Sequence, residues 1–297
     1  MAEIALPRDR PTFALELRAP HPALLRLAPG AALLALIGAA TLLLPLVLPY
    51  SPEAQSIGER LRPPSADHWL GTDSFGRDVL SRLVAGGQIS LAVGVLSMLV
   101  TVVLGVLVGA SAGYFGGRID AVLMRLTELI MVFPTFFLII LIVASFGGSV
   151  ALLILVIGLT SWPVGARIVR GEVLQTRRRD FVLAAESVGA RARWIIVRHV
   201  LPNVISVIIV SATVRVGANI LVEAGLSYLG LGVQPPLASW GNMVSAGAQV
   251  IRTEWWLTAI PAAAIFLAVL GFNLMGEALR DVLDPRNGRP PSGGASR

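Results

Sequence analysis

Residues 89–115 read ISLAVGVLSMLVTVVLGVLVGASAGYF, a run without a single charged side chain. A helix needs about 20 predominantly apolar residues to cross the hydrocarbon core of a bilayer, so this run is long enough to span one. Glycine recurs at every fourth position toward its end: Gly105, Gly109, Gly113 and Gly117. This spacing places the glycines on one helix face, where another backbone can approach closely. The stretch therefore predicts a transmembrane helix that packs tightly against a neighbour.

The composition of the whole chain agrees with a membrane protein. Of its 297 residues 55% are hydrophobic and only 14% are charged, whereas a soluble domain has about 25% charged residues. Cysteine is absent, which excludes disulfides and thiolate metal sites. All 24 basic residues are arginine, and a phosphate-binding loop of the GxxxxGK[ST] type requires lysine. Any ATP chemistry is therefore expected on another subunit.

Five further runs have the length and apolar character of membrane spans, so the sequence predicts an all-α integral membrane protein with six transmembrane helices. These runs are residues 31–50, 126–146, 149–169, 203–224 and 255–276. The first run is too long for a cleaved signal peptide, and no small-residue cleavage site follows Pro49. We therefore expect it to be an uncleaved span.

Four of the runs contain proline, at positions 45, 134, 163 and 261. Membrane helices tolerate proline because neighbouring groups satisfy the freed backbone carbonyls. The alternative is that these prolines introduce kinks that matter for gating.

The distribution of arginine predicts that both termini face the cytoplasm. In that orientation the cytoplasmic pieces hold 18 arginines and the external pieces hold five, which is a clear positive-inside bias. The cytoplasmic pieces are 1–28, 114–125, 167–199 and 276–297, and the external pieces are 51–87 and 225–255.

Residues 181–202, FVLAAESVGARARWIIVRHVLP, are too polar to span a membrane, and their apolar positions recur at helical spacing. Gly189 interrupts the pattern, which predicts a helix, a glycine turn and a second helix. Three interpretations compete: a basic helix resting on anionic lipid, a helix that docks in the groove of a cytoplasmic protein, and nucleic-acid contact. The last is the weakest, because no aromatic platform accompanies the charge.

Family resemblance favours the docking helix. Ala184 and Ala185, Gly189 after three intervening residues, and the Leu201–Pro202 pair resemble the EAA loop of binding-protein-dependent ABC importer permeases. Two positions depart from that pattern: Leu183 stands where glutamate is usual, and His199 occupies the usual isoleucine position. The resemblance implies contact with an ATPase subunit through Phe181, Ala184, Ala185, Gly189, Leu201 and Pro202.

Three other stretches resemble the C-type permeases of the dipeptide, oligopeptide and nickel importers. They are HWLGTDSFGRDVLSRLVAGGQISLAVG (68–94), EAGLSYLGLGVQPPLASWGNM (223–243) and FNLMGEALRDVLDPR (272–286). The resemblance implies a type I ABC importer permease core of five helices preceded by one extra N-terminal helix. It gives a cytoplasmic segment 1–28, the extra helix 29–50, an external loop 51–88, a core 89–280 with its coupling loop at 170–202, and a cytoplasmic tail 281–297.

The same resemblance implies the partners and the activity. Such a permease, embedded in lipid of the inner membrane, pairs with a B-type sibling permease, two ATPase subunits that hold ATP and Mg²⁺, and an external solute-binding protein. We expect no catalytic residue, cofactor, metal or nucleic acid in this chain. Peptides are the expected solute, with nickel or glutathione as alternatives. An ion-coupled secondary transporter and a non-transporting scaffold are the rival classes, and the first predicts uptake by this chain alone.

The external loop contains the densest polar motif, which comprises Gly71, Thr72, Asp73, Gly76, Arg77 and Asp78. Two glycines and two aspartates within eight residues indicate a structured turn, in which either carboxylate bonds to backbone or pairs with Arg77. Contact with the binding protein is the functional alternative. Metal binding and acid–base chemistry lack a supporting histidine cluster.

Arg215 and Glu223 are charges within the fifth predicted span. A charge at the bilayer centre costs roughly 2.5–3.5 kcal/mol, so both side chains should face the bundle interior or water. Eight residues separate them, which places them about 80° apart around a helix, so they can line one side without touching. Two interpretations remain: both line a translocation path that tolerates a zwitterionic peptide, or they form a structural ion pair with the sibling subunit.

Overall fold

The computed structural model of the chain describes residues 22–283, and helices joined by loops make up this part, without a β-strand. The predicted cytoplasmic segment 1–28 and tail 281–297 therefore lie largely outside the described residues, from 1 to 21 and from 284 to 297. The helices are α1 (Pro22–Leu43), α2 (Val79–Phe115), α3 (Gly117–Val132), α4 (Thr135–Phe146), α5 (Val150–Arg177), α6 (Asp180–Ser187), α7 (Ala192–Ile195), α8 (Leu201–Tyr228), α9 (Trp240–Ala248) and α10 (Trp256–Leu283).

Five helical stretches within the described residues are long and apolar enough to cross a membrane. They are Arg26–Leu46, Val79–Phe115, Val150–Arg177, Ala192–Tyr228 and Trp256–Leu283. A sixth span is present if α3 and α4, which meet at an angle of 77°, are counted together.

The third predicted span, 126–146, is therefore not one straight helix. Proline has no N–H to donate and disfavours helical geometry in the residue before it, and Phe133 is extended, with φ −84° and ψ 131°. The helix breaks there, and α4 restarts at Thr135 after Pro134. Pro163 and Pro261, in contrast, lie inside the continuous helices α5 and α10.

Helix α2 begins at Val79, well before the predicted span start at residue 89, so the loop predicted at 51–88 ends at residue 78. The Asp78 side chain caps this helix by accepting a hydrogen bond from the Ser81 amide at 2.8 Å. At the other end of the bundle α5 continues to Arg177, so the first part of the predicted 170–202 loop is helical.

The glycine strip of α2 packs on α5, the most extensive helix contact in the described fold. A Cβ atom added at Gly109 would lie 2.5 Å from the carbonyl oxygen of Ala166, and one at Gly113 would lie 2.9 Å from that of Arg170. The predicted tight packing is confirmed for Gly105, Gly109 and Gly113. Gly117 is different, because it lies beyond the end of α2, and a Cβ atom added there would meet no neighbour within 4 Å.

Helix α1 lies along α10 at the edge of the bundle. Gly30 approaches the α10 backbone so closely that a Cβ there would lie 2.8 Å from the Met275 nitrogen. An ion pair of 2.5 Å joins Arg26 to Asp281 at one end of this contact. The extra helix is thus attached to the last helix of the bundle and leaves most of its own apolar surface exposed.

Candidate functional site

The 178–200 region at the predicted cytoplasmic end contains the two short helices α6 and α7. Gly189 lies between them with a φ of +79°, a conformation that side chains with a Cβ adopt with strain. After α7 a π-helical turn, Ile196–Val200, leads directly into α8. The predicted helix, glycine turn and helix are present, and the second helix continues into the following span.

A small apolar core holds this region on the bundle. Val182 of α6 and Ile195 of α7 are fully buried and pack against α2 and α5, where they meet Tyr114 and Val173. The Tyr114 hydroxyl donates a hydrogen bond to Glu186 at 3.0 Å, and the Arg177 guanidinium lies 5.3 Å from the centre of the tyrosine ring. Helix α6 is therefore fixed to the bundle by apolar and polar contacts.

The opposite side of α6 and α7 presents an apolar surface, which we call the inner-loop surface. Its members are exposed by between 38% and 83% and are Phe181, Leu183, Val188, Trp194 and Val197. The His199 ring lies 4.8 Å from that of Trp194. Exposed arginines surround the patch, at positions 178, 179, 191, 193 and 198. A patch with an apolar centre and a charged rim has the composition of a protein contact surface.

The predicted coupling residues divide between this surface and the core. Phe181 and Ala184 are exposed, and Gly189 is open to solvent with no neighbour within 4 Å of a side-chain position. Ala185 and Leu201 are partly buried and pack against the apolar core under α6. Pro202 is exposed near the start of α8 and, because it has no N–H, donates no hydrogen bond to the preceding π-helical turn.

At the other end of the bundle, the GTDSFGRD motif forms a closed turn built around Asp73. One oxygen of the Asp73 carboxylate accepts hydrogen bonds from the Phe75 and Arg77 amides, and the other accepts one from the Arg77 guanidinium at 2.7 Å. Arg77 is buried, and its guanidinium also lies over the Phe75 ring at 4.7 Å. A buried arginine paired with a hydrogen-bonded carboxylate is a rigid structural element.

Asp78 is joined to a histidine that the sequence pattern did not connect with the motif. His68 is buried, its Nδ1 lies 2.9 Å from one Asp78 oxygen, and its Nε2 lies 3.5 Å from Glu59. The Tyr50 ring packs on the imidazole with a centroid distance of 4.5 Å. The imidazole thus connects α2 to the loop that precedes it.

The glycines and the threonine of the motif attach it to residues 56–62. Gly71 and Gly76 have positive φ angles and lie directly against the backbone of Arg62 and Ser56. The Thr72 hydroxyl donates to the Glu59 carbonyl and accepts from the Arg62 amide. All six predicted motif residues are therefore brought together in one ordered turn.

Arg215 faces a narrow groove between α2, α5 and α8, whose walls include Thr101, Gly165 and Ser211. Ser211 also lines a larger cavity of about 400 Å³ at the predicted cytoplasmic end. Glu172 and Arg280 contribute opposite charges to the lining of that cavity. The groove and the cavity share Ser211 in their linings, and Arg215 is the charged residue of a groove that is otherwise mostly apolar.

Glu223 does not face this groove. Its side chain is fully buried, and its carboxylate accepts hydrogen bonds from the hydroxyls of Ser90 at 2.8 Å and Ser227 at 2.6 Å. Arg215 and Glu223 thus occupy separate environments on α8. The sequence identified both charges as candidate site residues, but it did not predict the serine partners of Glu223, because Ser90 is far from it along the chain.

The described residues 22–283 contain no group of three or more His, Asp or Glu side chains arranged to hold a metal ion. The architecture is that of a multi-pass membrane protein with an ordered polar turn at one end and an exposed apolar helical surface at the other.

Comparison with known proteins identifies the family. Residues 105–289 match the family of binding-protein-dependent transport system inner membrane components. The chain belongs to this family and is a multi-pass permease of the inner membrane.

Several relatives are similar along most of their length. The dipeptide transport system permease protein DppC of Bacillus subtilis is 44% identical over 82% of this chain and 76% of its own. The oligopeptide transport system permease protein OppC of the same organism is 40% identical over 76% and 74%. The glutathione transport system permease protein GsiD of Pectobacterium atrosepticum is 40% identical over 81% and 80%.

Proposed function

We propose that this chain is the transmembrane permease subunit of an ATP-driven importer that translocates dipeptides or oligopeptides delivered by an external solute-binding protein. Family membership together with extensive similarity to dipeptide and oligopeptide permeases carries this proposal. Both termini face the cytoplasm, and α3 and α4 together form the sixth span.

The inner-loop surface is the contact for an ATPase subunit. The absence of lysine leaves this chain without a phosphate-binding loop, so ATP and Mg²⁺ are held by two separate partner subunits. The second permease of the complex is a B-type sibling. Phe181, Ala184, Gly189 and the exposed Pro202 lie at the contact, while Ala185 and Leu201 attach it to the bundle.

Arg215 lines the translocation path. A peptide carries a carboxylate and an ammonium group, and the route from Arg215 through Ser211 to Glu172 and Arg280 offers charges of both signs. Placing a charge in the membrane costs free energy, so a guanidinium that faces a groove is consistent with a role in solute passage. The closed turn of the GTDSFGRD motif shapes the external surface on which the binding protein docks.

Glutathione is the second candidate solute. It is a tripeptide, and the permease of a glutathione transport system is 40% identical to this chain over 81% of its length.

The test is ATP-dependent uptake of labelled dipeptide by proteoliposomes that contain the assembled complex and its binding protein. Arg215→Ala should lower the maximal uptake rate by about tenfold, which corresponds to about 1.4 kcal/mol. Arg252→Ala, which removes an exposed arginine outside the spans, is the matched control and should transport normally.

Two outcomes would contradict the proposal. Normal uptake by an assembled Arg215→Ala complex would remove this residue from the path. Uptake by this chain alone, driven by an ion gradient without ATP, would replace the importer with a secondary transporter.

A further inference from the structure

The segment between α8 and α10 that comprises residues 229–248 is anchored at Glu223. It consists of a loop and the short helix α9, and we call it the outer segment. Its backbone is joined to α2 and α8 through serine side chains that surround the Glu223 carboxylate.

Two serines each link a backbone amide to Glu223 through two hydrogen bonds. Ser227 accepts from the Val233 amide at 3.0 Å and donates to Glu223 at 2.6 Å. Ser90 accepts from the Trp240 amide at 3.2 Å and donates to Glu223 at 2.8 Å.

Ser239 has a separate, local role, because its hydroxyl accepts from the Asn242 amide at 3.2 Å and caps α9. Two relays therefore begin at backbone N–H groups of the outer segment and end on one buried side chain.

The direction of these relays depends on the chemistry of Glu223. A hydroxyl has a single hydrogen, so it can accept from an amide and donate onward only if its second partner is an acceptor. A carboxylate accepts on both oxygens, whereas glutamine offers one acceptor and one donor group. A donor at either position would leave the hydrogen of the facing serine hydroxyl without its acceptor.

We propose that Glu223 is a positioning residue that holds the outer segment against α2 and α8 through the hydroxyls of Ser90 and Ser227. The carboxylate does not contact solute. Its importance for solute entry rests on the proposed function, because the outer segment lies at the end of the bundle where the binding protein would deliver the peptide. The positioning role itself rests only on the contacts of this chain.

Amide hydrogen exchange of the assembled complex tests the proposal directly, because the relayed amides are the measured groups. Glu223→Gln should accelerate exchange of the Val233 or the Trp240 amide by about 10- to 100-fold, because the serine hydroxyl that faces the new amide NH₂ group loses its acceptor and that relay is broken. Peptides from the 180–200 region should exchange as in the wild type. Glu277→Gln, which changes an exposed glutamate of α10, is the matched control.

Two further variants, each of which removes one serine hydroxyl, test the proposal even if Glu223→Gln does not assemble. Ser227→Ala should accelerate exchange near Val233 and leave Trp240 protected. Ser90→Ala should do the reverse. This reciprocal pattern would not result from a general loss of stability.

Exchange of the outer segment within twofold of wild type in Glu223→Gln would overturn the proposal, as would an equal rise at both amides in each serine variant. A raised half-saturating peptide concentration with unchanged exchange would show instead that Glu223 contacts solute. Exchange is measured without transport, so evidence against the proposed function would not change the exchange result. Evidence against the positioning role would likewise not change the permease assignment.

Discussion

Gly76 shows how a single residue sets the shape of the polar turn at the predicted external end. Its φ of +71° lies in the left-handed region, and its α-carbon lies against the Ser56 backbone. Both observations require a residue without a Cβ atom. The glycines of the GTDSFGRD motif are therefore explained by local geometry, whatever partner the turn meets.

Gly76→Ala should destabilise this turn. The left-handed conformation alone costs roughly 1–2 kcal/mol for a residue with a Cβ, and the contact with Ser56 adds to that cost. Amide exchange of residues 61–79 should therefore be faster by at least tenfold. Gly58→Ala is the matched control, because Gly58 is exposed and has no neighbour within 4 Å of a side-chain position. Equal exchange in the two variants would show that the turn adapts to the substitution.

Residue types in this motif were readable from the sequence, but their partners were not. The spacing of glycine and aspartate predicted a structured turn, because those residues favour turns locally. The link from Asp78 to His68, and from His68 to Glu59, depends on the path of the chain between them. The same holds for Glu223 and Ser90, which lie on different helices.

At the scale of helices, the contact between α2 and α5 is set by the glycine strip. The two backbones approach so closely that side chains on this face would force the helices apart. In lipid, where apolar surfaces gain little by leaving the solvent, such close packing is a main source of helix association.

Gly109→Ala should therefore weaken the bundle by about 1–3 kcal/mol, the usual cost of overpacking. The new methyl group would lie 2.5 Å from the Ala166 carbonyl oxygen and 2.8 Å from the Val169 Cβ. Thermal unfolding in detergent should show a lower midpoint. Gly171→Ala on α5 provides the comparison, because that position has no neighbour within 4 Å, and its midpoint should not fall. A lower midpoint for Gly171→Ala alone would refute the packing argument.

The sequence predicted which segments are helical, but it did not predict where those helices begin and end. Apolar runs identify spans because partition into lipid is a property of the run itself. The first turns of α2 were missed because Arg82 and Gln88 resemble loop residues. In the fold Arg82 donates to the Pro52 carbonyl, and Gln88 donates to that of Thr41 at 2.7 Å. These distant carbonyls satisfy polar groups that the local sequence leaves unpaired.

For the whole molecule, the inner-loop surface is the contact that we propose for a partner. Val188 is 83% exposed, so its side chain contributes little to the fold of this chain. Apolar residues at the centre of a protein contact commonly contribute about 2 kcal/mol or more to binding.

Val188→Arg should leave the permease folded but weaken its association with the ATPase subunit by about tenfold or more. Titration of purified ATPase subunit onto permease in nanodiscs measures that affinity. Val188→Ile keeps the surface apolar and should bind as the wild type does. Unchanged affinity in Val188→Arg would place the ATPase contact elsewhere.

The π-helical turn at Ile196–Val200 has a mechanical consequence. It joins α7 to α8 without a break, so one rod runs from Ala192 to Tyr228. At 1.5 Å per residue, about 44 Å of that rod separates Trp194 from Glu223. A displacement of the end of this helix that carries Trp194 would therefore be transmitted to Glu223 as an axial shift or a rotation. Any deformation of the wider π turn would reduce the part that is transmitted.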